Sequence, residues 1–268
     1  VNETDGLGPC AEFETTVVKG NAVQPGVSVV ATEVPLTLVA NNLEIATLAC
    51  TPTQVREFVV GFLFTAGFIR AAADMLSFTC DEKTWTVWVE LTVAPDPKML
   101  FKRLYTSGCG EGVMYSNVVE IAARHAPVSD FRVSAASIHA AARWLQTASP
   151  LHKRTGGTHT AALSEKGDIP RLVCDDIGRH NAVDKVIGMA LLSGVDLSAT
   201  VLVNTGRVSS EIVHKAKRSG IPVLMSLGAP THQAVLLSRE MKLTVVGFAR
   251  GSSFTIFSNP ERIAHDNV

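Results

Sequence analysis

The feature that most constrains this chain is the order of patterns in its second half, where strand-type and helix-type runs alternate. Ser134 to Thr147 reads as a helix. Thr160 to Leu163 and Leu172 to Asp175 read as strands joined by a turn at Lys166-Gly167-Asp168. Arg179 to Leu192 is helical, with Ala182, Val183, Val186, Ile187, Ala190 and Leu191 on one face. Val201 to Asn204, Pro222 to Met225 and Leu243 to Phe248 read as strands. Between them lie helices over Ser209 to Ser219, closed by Gly220, and over Thr231 to Met241. Strands alternating with helices argue for a sheet covered on both faces. With 268 residues, 46% of them hydrophobic, the chain suits one large domain or a small plus a medium one.

The first half reads differently. Residues 1–10 are polar and Gly-rich. Val27 to Cys50 is strand-like, with a turn at Asn41-Asn42. A helix follows, for which Thr51 is expected as N-cap, Pro52 at the first helical position and Gln54 completing a capping box. Val55, Phe58, Val59, Phe62 and Leu63 share a face of it, and Gly67 is placed to end it. Trp85 to Val93 alternates as a strand, and Val113 to Ala123 reads as a helix. Pro127 to Asp130 is the linker candidate. These patterns predict a smaller mixed α+β domain over residues 11–126, ending in the Cys109 loop, and an α/β domain over residues 127–268. The order of the second domain, helix, two strands, then helix–strand three times, is that of the cytidine deaminase-like three-layer sandwich.

The five cysteines, Cys10, Cys50, Cys80, Cys109 and Cys174, are widely spaced, and no pair has two intervening residues. They read as free thiols in a reducing compartment, so the expected location is cytoplasmic. No signal-peptide pattern opens the chain, and no apolar run approaches the ~20 residues of a membrane span. A net charge of −1 argues against a broad nucleic-acid-binding face. Cys109 lies between Gly108 and Gly110 in the loop Tyr105 to Gly112. Glycine on both sides lets large partners approach its sulfur, and a helix beginning near Gly112 would favour the thiolate. The loop alone reads equally as holding an incidental cysteine.

Polar residues gather where the α/β pattern places strand ends and helix starts. Such clusters are Thr155 to His159, Asp175 to Asn181 with Asp184 and Lys185 one turn on, Thr205 to Glu211, Gly228 to Thr231, and Arg250 to Ser253. Glycine lets backbone amides approach phosphate oxygens, helix N-termini favour anions, and Arg grips phosphate with two hydrogen bonds. Singly, each reads as ordinary turn chemistry, His180 with Asp184 as a solvated pair, and His159 as a core histidine. Together they point to a pocket for a large anionic ligand. A zinc deaminase is excluded by its own requirements. Ala182 stands where a catalytic Glu would follow His180, and Arg207-Val208-Ser209-Ser210-Glu211 holds no thiol.

These segments carry a family resemblance. They are Glu33-Val34-Pro35-Leu36, Thr51-Pro52 with its helix to Gly61-Phe62-Leu63, and Thr155-Gly156-Gly157-Thr158-His159. Gly178-Arg179-His180-Asn181-Ala182-Val183-Asp184-Lys185 is the longest. Gly206-Arg207-Val208-Ser209, Ala229-Pro230-Thr231 and Gly247-Phe248-Ala249-Arg250-Gly251 complete the set. The chain resembles the FdhD family of accessory sulfurtransferases for molybdenum- or tungsten-dependent formate dehydrogenases, from about Glu33 to Ile263. The resemblance implies a sulfur carrier in which a cysteine desulfurase loads Cys109 as a persulfide. The sulfur then passes to the metal of a bound bis-molybdopterin guanine dinucleotide cofactor, for which a guanine nucleotide can stand in. The implied partners are the desulfurase, the formate dehydrogenase catalytic subunit and a second copy in a homodimer. No zinc, nucleic acid or membrane is expected. The implied binding segment is Phe248, Ala249, Arg250, Gly251, Ser252 and Ser253. The rim adds Gly156, Gly157, His159, Arg179, His180, Gly206, Arg207 and Thr231 as candidates. One departure stands out: the family loop carries two cysteines with two residues between them, and here the second position is Gly112. Cys174 then reads either as a resolving thiol or as a buried one. The departure also fits a chaperone that binds and delivers the cofactor without carrying sulfur.

Overall fold

The computed structural model describes residues 7–97, 103–106, 112–115 and 129–264. Its centre is a six-stranded sheet from the second half of the chain. The strands are β10 (His159–Glu165), β11 (Leu172–Asp176), β12 (Thr200–Asn204), β13 (Val223–Ser226), β14 (Thr244–Arg250) and β15 (Ser253–Ser258), in spatial order β11-β10-β12-β13-β14-β15. β12, β13 and β14 run parallel, while β10 is antiparallel to both its neighbours and β15 to β14.

Side-chain alternation assigns each face its layer. Leu202, Leu224 and Val245 point into one core with the helices Arg179–Ser193, Ser210–Arg218 and His232–Glu240. Val201, Val203, Val223, Met225 and Val246 point into the other, with the helix Ala135–Leu145. Numbering helices along the described chain, α1 is Val55–Ala66, α2 Ala135–Leu145, α3 Pro150–Thr155, α4 Arg179–Ser193, α5 Ser210–Arg218 and α6 His232–Glu240. Burial on both faces explains why these strands read as continuous apolar runs.

The first half holds a second core. β3 (Val34–Ala40), β4 (Leu43–Cys50), β5 (Met75–Asp81) and β6 (Thr86–Leu91) form a sheet of order β4-β3-β6-β5. Val34, Leu36, Leu38 and Ala40 alternate inward against Phe58, Val59, Phe62 and Leu63 of α1. β1 (Cys10–Lys19) and β2 (Ala22–Ala31) form a ten-pair antiparallel ribbon that displays Phe13, Val18, Val23 and Val27 to solvent.

The two cores meet where α1 crosses α4 with no side chain between them. A methyl on Gly61 would lie 1.8 Å from the Asp184 carbonyl oxygen, and one on Gly188 1.9 Å from that of Glu57. Arg218 of α5 donates to the Phe64 and Ile69 carbonyls at the end of α1, and its guanidinium lies 5.5 Å from the Phe64 ring centre. Among the described residues no helix is long and apolar enough to cross a membrane.

Several local expectations are corrected. Gly67 does end α1, in the left-handed region, but the expected cap at Thr51-Pro52-Gln54 does not form. The helix starts at Val55 behind a left-handed Gln54, and Thr51 turns its polar groups to the other core instead. Gly112–Tyr115 is a strand, β8, paired with β7 (Arg103–Thr106), so no helix begins at Gly112. The rest of the expected helix, the Cys109 loop and the expected boundary at residue 127 lie outside the described residues. β1, α3 and β15 have no counterpart in the expected elements, and β2 overlaps the expected strand-like run only from Val27 to Ala31.

Candidate functional site

A cleft of about 680 Å³ opens at the carboxyl ends of β12, β13 and β14, where α/β sheets bind ligands. Thr205, Leu227, Arg250 and Gly251 line it from those strand ends. Gln146, Ser149, His152 and Lys153 line it from α2 and α3, and Gly156 to Thr160 close the wall.

Short-range chemistry builds that wall. Ser149 caps α3, its Oγ accepting from His152 N at 2.8 Å and donating to Asp175 Oδ2 at 2.7 Å. The Thr160 hydroxyl donates to Asp175 Oδ1 at 2.7 Å, so one carboxylate fastens both sides. Gly156, at φ +64°, ends α3, a conformation that favours glycine. The His152 Nδ1–H donates to the Thr158 carbonyl at 2.6 Å. His159 Nδ1 lies 3.3 Å from Thr205 Oγ1, which also accepts Thr160 N–H at 3.1 Å. Burial, then the positive charge of Arg179, pulls the His159 pKa below its usual value. The Thr158 hydroxyl is buried without a hydrogen-bond partner among the described residues.

Of the residues expected at the site, Gly156, Gly157, His159, Arg250 and Gly251 line this cleft. Arg179 is buried behind it against Gly206, where a methyl would strike the Arg179 side chain. His180 bonds Ser209 Oγ at 3.1 Å and Glu211 at 3.4 Å between α4 and α5. Arg207 is exposed outside the cleft wall. Thr231 caps α6, accepting from Ala234 N. Phe248 is exposed at φ +52° with its ring 6.0 Å from Phe257, and Ala249 is in the core. Ser252, in the β14–β15 turn, and Ser253, the first residue of β15, are exposed. Gln146, Ser149, His152 and Lys153 are lining residues not singled out above, while Thr158 and Thr205 belong to the polar clusters without being named as ligand contacts. The signal for α3 is present: Ser149-Pro150 is a helix start, with Gly156 six residues on.

The longest matching segment is chiefly a fastener. Lys185 Nζ lies 2.7 Å from Asp176 Oδ2, both side chains fully buried, and donates to Thr51 O at 3.0 Å. Thr51 N donates to the same Asp176 oxygen at 3.0 Å, and Ile177 N to Thr51 Oγ1 at 3.1 Å. Asn181 Nδ2 donates to Ala49 O and to Asp176. Asp184 accepts from Lys215 at 2.8 Å and Thr65 Oγ1 at 2.7 Å. His180 and Asp184 are therefore not a solvated pair. Each has a partner on another helix, Asp184 buried and His180 half-buried, because α4 is covered by α1 and α5.

Cys50 and Cys174 are buried, and burial pushes both thiols up to about 12. Cys174 is thus the inert strand-end thiol, not an accessible resolving partner. Among the described residues no cluster of three His, Cys, Asp or Glu is arranged to hold a metal.

Comparison with known proteins agrees with the arrangement. The FdhD/NarQ family pattern matches residues 31–264. The chain is 38% identical over 235 residues to the sulfur carrier protein FdhD of Bacillus subtilis (strain 168), covering 87% of this chain and 89% of the relative. It is 38% identical over 234 residues to that of Staphylococcus haemolyticus (strain JCSC1435), covering 87% and 88%. A crystal structure described as a formate dehydrogenase accessory protein from Desulfotalea psychrophila superposes with a TM-score of 0.80 at 27% identity, over 95% of this chain and 99% of that one. With the pattern spanning most of its length and relatives at this identity, the chain belongs to the FdhD/NarQ family.

Proposed function

We propose that this protein is a sulfur carrier required for formate dehydrogenase activity, with Cys109 as the carrying thiol. The observation that carries this reading is the match to sulfur carrier proteins across both cores. In the loading step the Cys109 thiolate attacks the terminal sulfur of a desulfurase persulfide. The old S–S bond breaks, the desulfurase thiolate leaves, and Cys109 holds the persulfide. The substrate that receives the sulfur is the metal of a bis-molybdopterin guanine dinucleotide. Sulfane sulfur becomes sulfide there by gaining two electrons, from a thiol or from the metal.

The cleft supports a nucleotide end for that substrate. It offers Lys153 and Arg250 to phosphates, glycine backbone at Gly156, Gly157 and Gly251, and an unpaired buried hydroxyl at Thr158. The free thiols support a cytoplasmic setting, and the doubled pterin ligand suits a homodimer. The sheet order β11-β10-β12-β13-β14 supports a cytidine deaminase-like sandwich over residues 127–268. The separate core of β3 to β6 with α1 supports a smaller domain over residues 11–126.

The test is to incubate the protein with a cysteine desulfurase and L-cysteine and measure the mass of the Cys109 peptide. A gain of one sulfur is expected. No gain, with a desulfurase competent on another acceptor, points to a cofactor chaperone. That second reading is favoured by Gly112 at the second loop position and by the inaccessibility of Cys174. It predicts that Cys109→Ala still activates formate dehydrogenase.

A further inference from the structure

His152 stands on the cleft wall with one ring nitrogen committed and the other open. Nδ1 faces the Thr158 carbonyl oxygen at 2.6 Å; a carbonyl only accepts, so Nδ1 carries a proton, and in the neutral ring Nε2 is left as an acceptor. No described residue hydrogen-bonds Nε2. The ring is held from below, because Ser149 Oγ bonds His152 N and is itself fixed by Asp175. Beside it the Thr158 hydroxyl is shut away from solvent with no partner, a cost that a ligand group can relieve. Lys153 and Arg250 line the same cleft and are exposed.

We propose that His152 is a specificity-determining residue of this cleft, its Nε2 accepting a hydrogen bond from an uncharged N–H edge of the ligand's heterocycle while Lys153 and Arg250 face the phosphates. This rests on reading the cleft as a nucleotide site. A phosphate oxygen only accepts, so it gives nothing to a bare Nε2. A guanine edge carries a ring N–H and an amino group, both donors, next to a carbonyl. The Thr158 hydroxyl, which donates or accepts, answers that carbonyl on turning about χ1.

The test is calorimetric titration of GDP and, separately, inorganic pyrophosphate into the wild-type protein and into His152→Asn and Thr158→Val. Asparagine keeps an N–H for the Thr158 carbonyl and has no counterpart of Nε2. Valine keeps the shape of threonine without the hydroxyl. GDP affinity is expected to fall about tenfold in His152→Asn and less in Thr158→Val, with pyrophosphate affinity within about twofold of wild type and unchanged melting temperatures. Wild-type GDP affinity in His152→Asn, or an equal loss for GDP and pyrophosphate, overturns the inference and leaves the nucleotide reading standing. Failure of the wild-type protein to bind either probe overturns both.

Discussion

The seam between the two cores and the cleft at the strand ends use the same residue types and leave them in opposite states. At the seam Lys185, Asp176, Lys215 and Asp184 are buried and partnered at 2.7–2.8 Å. At the cleft Thr158 Oγ1 and His152 Nε2 have no such partner among the described residues, and Lys153 and Arg250 stand in solvent. A buried charge with its partner fixes geometry. A polar group at a concave wall without one is open to a ligand, directly at His152 Nε2 and after a turn about χ1 at Thr158. Chemistry-rich sequence therefore marks two different jobs, and burial separates them.

The comparison breaks first at Lys185. Lys185→Met leaves the Asp176 carboxylate buried without its countercharge, and a loss of about 3–5 kcal/mol in urea unfolding is expected. A loss below about 1 kcal/mol would show that this pair does not hold the seam. Gly61→Ala tests the helix crossing, where a methyl has no room beside Asp184 O; thermal unfolding should report a loss of about 1–3 kcal/mol. A wild-type melting temperature would refute the backbone contact.

Acid should weaken the seam next. Burial pushes His180 down to about 4, although Glu211 beside it pulls the other way; Arg179, Lys215 and His159 add to the lowering. The unfolded chain, with His near 6.5, then binds more protons than the folded one between about pH 6.5 and 4. This contribution is complete above pH 6.5 and is lost as pH falls toward 4. Urea midpoints measured from pH 7 to 4.5 should decline, and His180→Gln should flatten the decline. An unchanged slope in that variant would place the acid sensitivity elsewhere. The smallest stability effect belongs to the cleft: Arg250→Ala should stay within about 0.5 kcal/mol of wild type while weakening GDP binding several-fold. A destabilisation matching that of Lys185→Met would erase the distinction between the two regions.

The alternating second half was legible because its elements carry their own signals. Val201, Leu202 and Val203 form an unbroken apolar run between turns, and Gly220 and Gly67 stop helices locally. Thr51 was misread because its pattern is local and its use is not. Its partners, Asp176, Ile177 and Lys185, lie more than a hundred residues away in sequence. The role of Asp184 was hidden in the same way, because its partners Thr65 and Lys215, 119 and 31 residues away, come from two other helices. His159, Arg250 and the glycines near them reached the cleft because strand order alone locates that rim. His152 escaped notice because α3 is six residues long, too short for a periodic pattern.

The glycine crossing of α1 and α4 also bears on mechanics. Packed helices slide past each other through small adjustments in the layer of side chains between them. At Gly61 and Gly188 that layer is missing, and main chain rests on main chain. At that point the joint has no side-chain layer to absorb a shear. A push on the four-stranded sheet is handed through α1 to α4, and from α4 to β10 and β11, which hold one wall of the cleft. This geometry predicts that the two halves move as a single stiff lever rather than as a hinged jaw.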